Sequence, residues 1–267
     1  VLMRPPDLSG DQRRRMFEAF GSFVDSLGGD YITAEDVGTT VDDMNAIHRN
    51  TENVLGRGTE SGGAGDPSPY TAVGVRRGIE AAVEYRYGGQ SLDGLTVAIQ
   101  GVGSVGYHLA EELDERGADL VVTDIDEEAI ARCVEEFHAE AVAPETIFSV
   151  DCDVFAPCAL GAVLNDETIP QLECDIVAGA ANNQLEGAEH DEMLRDRDIL
   201  YAPDYAVNAG GLIYVAAFYN DNDIDEASEK IEGLHGQMLE IFERADAEEM
   251  PTSHVTDRIV EERLEMC

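Results

Sequence analysis

The segment Gly101-Val102-Gly103-Ser104-Val105-Gly106 constrains this 267-residue chain more than any other stretch. Ahead of it, Leu95-Thr96-Val97-Ala98-Ile99 reads as a buried strand, and behind it 107–116 reads as a helix. Gly101 permits a tight turn, Gly103 lets another molecule come close to the backbone, and Gly106 brings helix against strand. A helix that opens on such a turn presents free N–H groups and a partial positive charge to an anion. A purely structural glycine turn accounts for the glycines alone. It does not account for a second strand, 120–123, ending at Asp124, 23 residues after Gly101. A carboxylate there accepts hydrogen bonds from ribose hydroxyls and repels a 2′-phosphate, so the pattern predicts a dinucleotide site that favours NAD over NADP.

Short apolar runs at 95–100, 120–123, 153–156, 176–178 and 199–202 alternate with helical segments. That alternation predicts an α/β fold with a Rossmann-type, doubly wound parallel sheet. Upstream, Met16, Phe17, Phe20, Phe23, Val24 and Leu27 fall at helical spacing within 11–27, and 41–55 reads as a second helix. The Gly- and Pro-rich stretch 56–69 reads as a hinge, followed by a helix over 71–87. After Gly211 three helices are predicted, over 212–220, 223–246 and 254–266.

Charge excludes several functions. With 17 basic against 56 acidic residues the formal net charge is −39, which argues against nucleic acid or an anionic membrane as partner. Lys230 is the one lysine, and beyond position 100 there are 41 acids against 8 bases. So few lysines among so many carboxylates predict adaptation to high intracellular salt, where screening relieves self-repulsion. No run of about 18 apolar residues is present. The five cysteines form no CxxC and the six histidines no HExxH, so neither a disulfide framework nor a metal site is predicted, and a reducing cytoplasm fits.

Three later segments fall where strand carboxyl ends meet a cofactor crevice. They are Ala156-Pro157-Cys158-Ala159-Leu160-Gly161, Ala180-Ala181-Asn182-Asn183-Gln184 and the stretch 202–211, which contains Pro203-Asp204-Tyr205-Ala206-Val207-Asn208-Ala209-Gly210-Gly211. Their amides suit a carboxamide or a carboxylate, although asparagine is equally a turn and cap residue. The segments Tyr31-Ile32-Thr33-Ala34-Glu35-Asp36-Val37-Gly38-Thr39, Pro67-Ser68-Pro69-Tyr70-Thr71-Ala72, 180–185 and 203–211 resemble the Glu/Leu/Phe/Val amino-acid dehydrogenase superfamily, and within it the leucine dehydrogenases. The similarity runs over essentially the whole chain.

The resemblance implies NAD-dependent, reversible oxidative deamination of an L-amino acid to a 2-oxo acid and ammonia, by a homo-oligomer. It makes Asp36 the catalytic carboxylate that relays protons. It places Thr71, Gly101, Val102, Gly103, Ser104, Val105, Gly106, Asp124, Cys158, Ala159 and Asn183 on the cofactor. Ala34, Asn183, Asn208, Leu212 and Val215 fall on the substrate, in an apolar pocket suited to leucine, valine or isoleucine. The implied domains are a partial substrate and catalytic domain over 1–69, the NAD domain over 70–210, and C-terminal helices over 211–267 packing across the cleft.

One departure stands out. The family's catalytic lysine and its carboxylate-binding lysine precede the stretch that matches Val1-Leu2-Met3, and Lys230 lies in an acidic helix suited to a solvated salt bridge. The expectation is a fragment of the enzyme that binds dinucleotide without turning it over. Two other readings compete: a non-catalytic NAD-binding sensor, which has no need of Asp36, and a glutamate-specific relative, which needs a cation that Ala34, Leu212 and Val215 do not provide.

Overall fold

Ser9 and Thr40 show how side chains set the helix starts in the computed structural model, which describes residues 8–36, 38–61, 63–89, 91–219 and 224–265. Ser9 forms a capping box with Gln12 and starts α1, Gly10–Asp25. Thr40 does the same with Asp43 for α2, Val41–His48. Phe17 of α1 meets Met44, Ala46 and Ile47 of α2 in a small core that also takes in Val54. The second helix stops well short of residue 55. Beyond His48 the backbone is drawn into pairing with Thr33, whose N–H donates to Asn53 O at 3.1 Å and whose carbonyl accepts from Leu55 N at 2.8 Å. This region, Val1–Pro67 together with Tyr214–Ile224, forms one compact unit.

Ser68–Ile213 and Asp225–Cys267 form the other unit. It opens with α3, Ser68–Tyr87, and continues β1 Thr96–Gln100, α4 Ser104–Asp114, β2 Asp119–Thr123, α5 Glu127–Phe137 and β3 Glu140–Ala141. The second half runs β4 Asp151–Pro157, β5 Glu173–Val177, α6 Glu189–Asp196, β6 Leu200–Tyr201 and α7 Asp204–Val207. All strand pairs are parallel and the order is β3-β2-β1-β4-β5-β6. That is the doubly wound arrangement, with the reversal of strand order between β1 and β4. Successive side chains of β1 divide between two cores: Val97 and Ile99 pack with α3 and α4, while Ala98 packs with Phe155, Val177 and Tyr201. β3 escapes a pattern search because it has two residues, both exposed.

The chain then forms α8 Gly210–Tyr219, α9 Ile224–Glu232, α10 Leu234–Glu248 and α11 Thr252–Glu265. The long helix expected over 223–246 is two helices that meet at Gly233, whose backbone stays helical at φ −68° and ψ −12°. Met238 and Phe242 of α10 join Val75, Ile79 and Ala82 of α3 in the main core, with Val255 and Ile259 of α11 beside them. Residues 225–267 therefore belong to the same unit as the sheet.

A charged cluster ties three of these helices together. Arg76 of α3 has a side chain only 6% exposed and contacts Glu80 at 2.9 Å, Glu112 of α4 at 3.2 Å and Glu232 of α9 at 3.0 Å. Arg77 and Arg116 add further bonds to Glu80, that of Arg116 at 3.2 Å. Among the described residues no helix is long and apolar enough to cross a membrane, and no group of three or more His, Cys, Asp or Glu is placed to hold a metal ion.

Candidate functional site

In the sheet unit, β1 ends at Gln100 and the chain turns at Gly101 with φ +96°, which side chains rarely tolerate. Gly101 N donates to Thr123 O at 2.8 Å, and Cys158 N donates to Gln100 O at 2.7 Å. The turn is thus pinned to both neighbouring strands at the point where the strand order reverses. A Cβ at Gly106 would sit 2.0 Å from the Gly101 carbonyl oxygen, so α4 starts flush against the turn. A Cβ at Gly103 would meet nothing within 4 Å. Gly103 is also the N-cap of α4 and supplies no side-chain bond to the first turn, whose N–H groups face outward for an anion. Open space at Gly103, a bare helix start and the Gly101 turn together fit a dinucleotide pyrophosphate.

Asp124 follows β2 directly. Its Oδ2 accepts the Val102 N–H at 2.7 Å and its Oδ1 accepts the Asp126 N–H at 3.0 Å. The carboxylate therefore braces the glycine turn, a role that sequence spacing alone does not show. Cys158 and Ala159 lie on the other side of the turn, and a Cβ at Gly101 would come within 2.8 Å of Ala159 N and Cβ. Desolvation pushes the Cys158 thiol up to about 12, so it is a neutral packing group at physiological pH. Thr71 lies in the first turn of α3, half-buried.

The segments after β5 and β6 come together beside this turn. Asn208 Nδ2 donates to Ala180 O at 3.1 Å and to Asn182 Oδ1 at 2.7 Å. Asn183 N donates to Asp204 Oδ2 at 2.7 Å. Gln184 is fully buried and donates to Gly179 O and Ala181 O at 2.8 and 3.0 Å. Leu212, in the same unit, is 69% exposed. Asp204 and Gln184 were not singled out from sequence. Both sit inside quoted segments, but only the fold shows that each is buried among backbone groups.

The other unit carries Asp36, Ala34 and Val215. Asp36 is exposed at the start of a turn in which its N–H donates to Thr39 Oγ1 at 2.8 Å and its carbonyl accepts from that hydroxyl at 2.6 Å. Val37, within the segment quoted for the resemblance, lies outside the described residues. The neighbouring Glu35 is half-buried, and its carboxyl is raised above the usual range, first by burial and then by Asp66 and Asp43. Ala34 is exposed and Val215 is 6% exposed. Lys230 is on α9, its Nζ 2.7 Å from Glu226. A cavity of about 580 Å³, lined by Cys152, Cys174 and several acids, lies at the opposite, amino-terminal ends of β1, β4 and β5.

The family model for Glutamate/Leucine/Phenylalanine/Valine dehydrogenase matches residues 62–130 and 122–255. A leucine dehydrogenase of Thermoactinomyces intermedius is 50% identical over 256 residues, which is 96% of this chain and 70% of that protein. A valine dehydrogenase of Streptomyces virginiae is 45% identical over 249 residues, covering 92% of this chain and 70% of its own length. The crystal structure of L-tryptophan dehydrogenase from Nostoc punctiforme superposes with a TM-score of 0.80 at 41% identity, over 96% of this chain and 74% of that one. On the glycine turn, the sheet order and these matches, the chain belongs to the Glutamate/Leucine/Phenylalanine/Valine dehydrogenase family.

Proposed function

We propose that this protein carries out NAD-dependent, reversible oxidative deamination of a branched-chain L-amino acid. The amino acid, water and NAD⁺ give the 2-oxo acid, ammonium, NADH and a proton. The observation that carries this reading is the pinned Gly101–Gly106 turn with Asp124 beside it, in a chain half identical to a leucine dehydrogenase. A bound NAD⁺ would supply the hydride acceptor for the substrate Cα. The first-turn N–H groups of α4 would hold its pyrophosphate, Asp124 its adenosine ribose, and Thr71 and Asn183 its nicotinamide end. Asp36 accepts the proton of the water that adds to the substrate iminium carbon and returns it to the departing amine. Its turn with Thr39 fixes the backbone from which it does so.

Substrate choice rests on Ala34, Leu212 and Val215, none of which carries charge. Burial of an isobutyl group contributes about 1.5–3 kcal/mol, whereas a side-chain carboxylate desolvated without a partner costs several kcal/mol. Leucine, valine and isoleucine are separated only weakly, because one methylene is worth about 1–3 kcal/mol. The test is NADH formation by the product of the complete reading frame, compared as kcat/KM for leucine, valine, phenylalanine and glutamate. The aliphatic substrates are expected to lead. A preference for glutamate or phenylalanine overturns this assignment of substrate choice, and no NADH from any of the four overturns the reaction.

Asp124 gives a separable prediction. Asp124→Asn keeps an oxygen for the Val102 N–H and removes the charge, so the preference for NADH over NADPH is expected to narrow by about tenfold, a change worth roughly 1.4 kcal/mol. Asp124→Ala loses the brace as well and is expected to weaken both cofactors. Equal affinity of the unaltered protein for the two cofactors would remove this role.

We also infer a homo-oligomer working in the cytoplasm of a high-salt cell. The exposed apolar side chains of Phe23, Leu27, Tyr31 and Ile32 support a subunit contact, and free cysteines with the −39 charge support the compartment. The melting temperature is expected to rise by roughly 10 °C or more between 0.1 and 1 M KCl, as the Debye length falls from about 10 to about 3 Å. An unchanged melting temperature counts against the high-salt reading.

A further inference from the structure

Three asparagines follow β5 and β6, and they are engaged to different degrees: Asn208 spends its amide NH2, Asn182 only its amide oxygen, and Asn183 neither. Asn208 donates to Ala180 O and Asn182 Oδ1, which occupies the Asn182 carbonyl as well. Asn183 has an exposed side chain that bonds no protein group among the described residues. Its backbone, by contrast, is held on both sides. The N–H donates to Asp204 Oδ2 at 2.7 Å, and the carbonyl accepts from Ala162 N at 2.7 Å.

That grip holds Asn183 at φ +52° and Ala162 at φ +58°. Left-handed backbone is disfavoured for residues with a Cβ, less for asparagine than for alanine, and it persists where surrounding contacts impose it. Gly161 lets the two stretches meet, since a Cβ there would lie 2.6 Å from Asn182 O and 2.8 Å from Asn183 O. Asp204 itself is 8% exposed, and its other oxygen accepts the Tyr201 hydroxyl at 2.9 Å. Tyr201 is 2% exposed and packs in the core beneath. Burial and the Asp204 charge both push the Tyr201 phenol up, so it remains a donor. A buried carboxylate with two charge-assisted bonds is a rigid post.

We propose that Asp204, oriented by Tyr201, is the positioning residue that holds the Asn183 backbone left-handed and thereby aims the free Asn183 amide at the nicotinamide carboxamide. The inference rests on the dinucleotide reading above. A post that acts only on the nicotinamide end has no effect on a ligand lacking that end, and this separates positioning from general stability.

The experiment compares NADH with ADP-ribose, which keeps the adenosine, the pyrophosphate and the second ribose. Affinities are measured by calorimetry for the unaltered protein and for Asp204→Ala, Tyr201→Phe, Asn183→Ala and the Asp204→Ala/Asn183→Ala pair. Asp204→Ala is expected to weaken NADH about tenfold and ADP-ribose by less than about twofold, and the pair is expected to be no worse than Asn183→Ala alone, as for coupled residues. Equal losses for both ligands, or additive losses in the pair, overturn the proposal. If Asp204→Ala does not fold, Tyr201→Phe retains the carboxylate and is expected to show the same NADH-selective loss. Asn183→Gly takes the left-handed backbone without strain and is expected to recover most of the melting temperature lost in Asp204→Ala. No recovery also overturns it. An unaltered protein that binds neither ligand removes the dinucleotide reading itself, whereas one that binds both equally removes only the role of Asn183 and Asp204.

Discussion

Gly106→Ala is expected to abolish NADH binding and to destabilise the sheet unit by about 3 kcal/mol. The added methyl would stand 2.0 Å from the Gly101 carbonyl oxygen, a backbone atom that cannot rotate away. Relief requires α4 to lift from the end of β1, which moves its first-turn N–H groups off the pyrophosphate. Gly103→Ala is the contrasting control. Its φ of −68° is ordinary for any residue and its Cβ would meet no protein atom, so stability is expected to be unchanged. The methyl nevertheless enters the space left for the ligand, and NADH binding is expected to fall by two orders of magnitude or more, about 3 kcal/mol. Chemical denaturation in high salt gives the first quantity and calorimetric titration the second. NADH affinity within about threefold of the unaltered protein for both variants would show that the turn is structural only, a change of less than roughly 0.7 kcal/mol.

The second large effect is expected at Arg76. Arg76→Met keeps much of the buried volume but leaves Glu80, Glu112 and Glu232 without their shared cation. Removing one partner from a buried ion-pair group costs about 3–5 kcal/mol, because the remaining charges stay desolvated. Arg116 still reaches Glu80 and Glu112, Arg77 still reaches Glu80 and Glu232, and Glu232 is half exposed, so the loss is expected toward the lower end of that range. It should grow as salt is withdrawn, since less screening leaves the carboxylates to repel one another. Urea denaturation at two KCl concentrations measures both. A loss below about 1 kcal/mol at either concentration would place this cluster with ordinary surface pairs.

The glycine turn, its strand and Asp124 were legible from sequence because their constraints are local. A positive φ needs glycine, and a strand next to a helix changes period from 2 to 3.6. Strand alternation likewise implied a parallel sheet, since every crossover helix is written between two apolar runs. β3 was not legible, for two exposed residues leave no pattern. The junction at Gly233 was lost within a segment whose periodicity continues on both sides of it. Asp204 was invisible for a different reason. It follows a proline at a helix start, where aspartate is common, and its partners Tyr201 and Asn183 are chosen by the packing of β6 against the loop after β5. The charged cluster on α3, α4 and α9 depends in the same way on which helices meet. Asn208 shows the limit from the other side, because its amide is legible as a donor but not as one already spent on Ala180 and Asn182.

The packing of α10 along α3 bears on how such a chain is made. α3 precedes every strand of the sheet, yet Val75, Ile79 and Ala82 are covered by Met238 and Phe242, near the other end of the sequence. On the ribosome, a nascent chain that has produced all six strands still displays the apolar face of α3 to solvent. Only when residues 234–248 emerge can that face close, so the unit completes itself late and through its longest-range contacts. Until then the exposed stripe is open to chaperones, proteases and neighbouring nascent chains, and a stop codon that removes α10 and α11 would leave every element of the nucleotide turn encoded but its supporting core permanently unsealed.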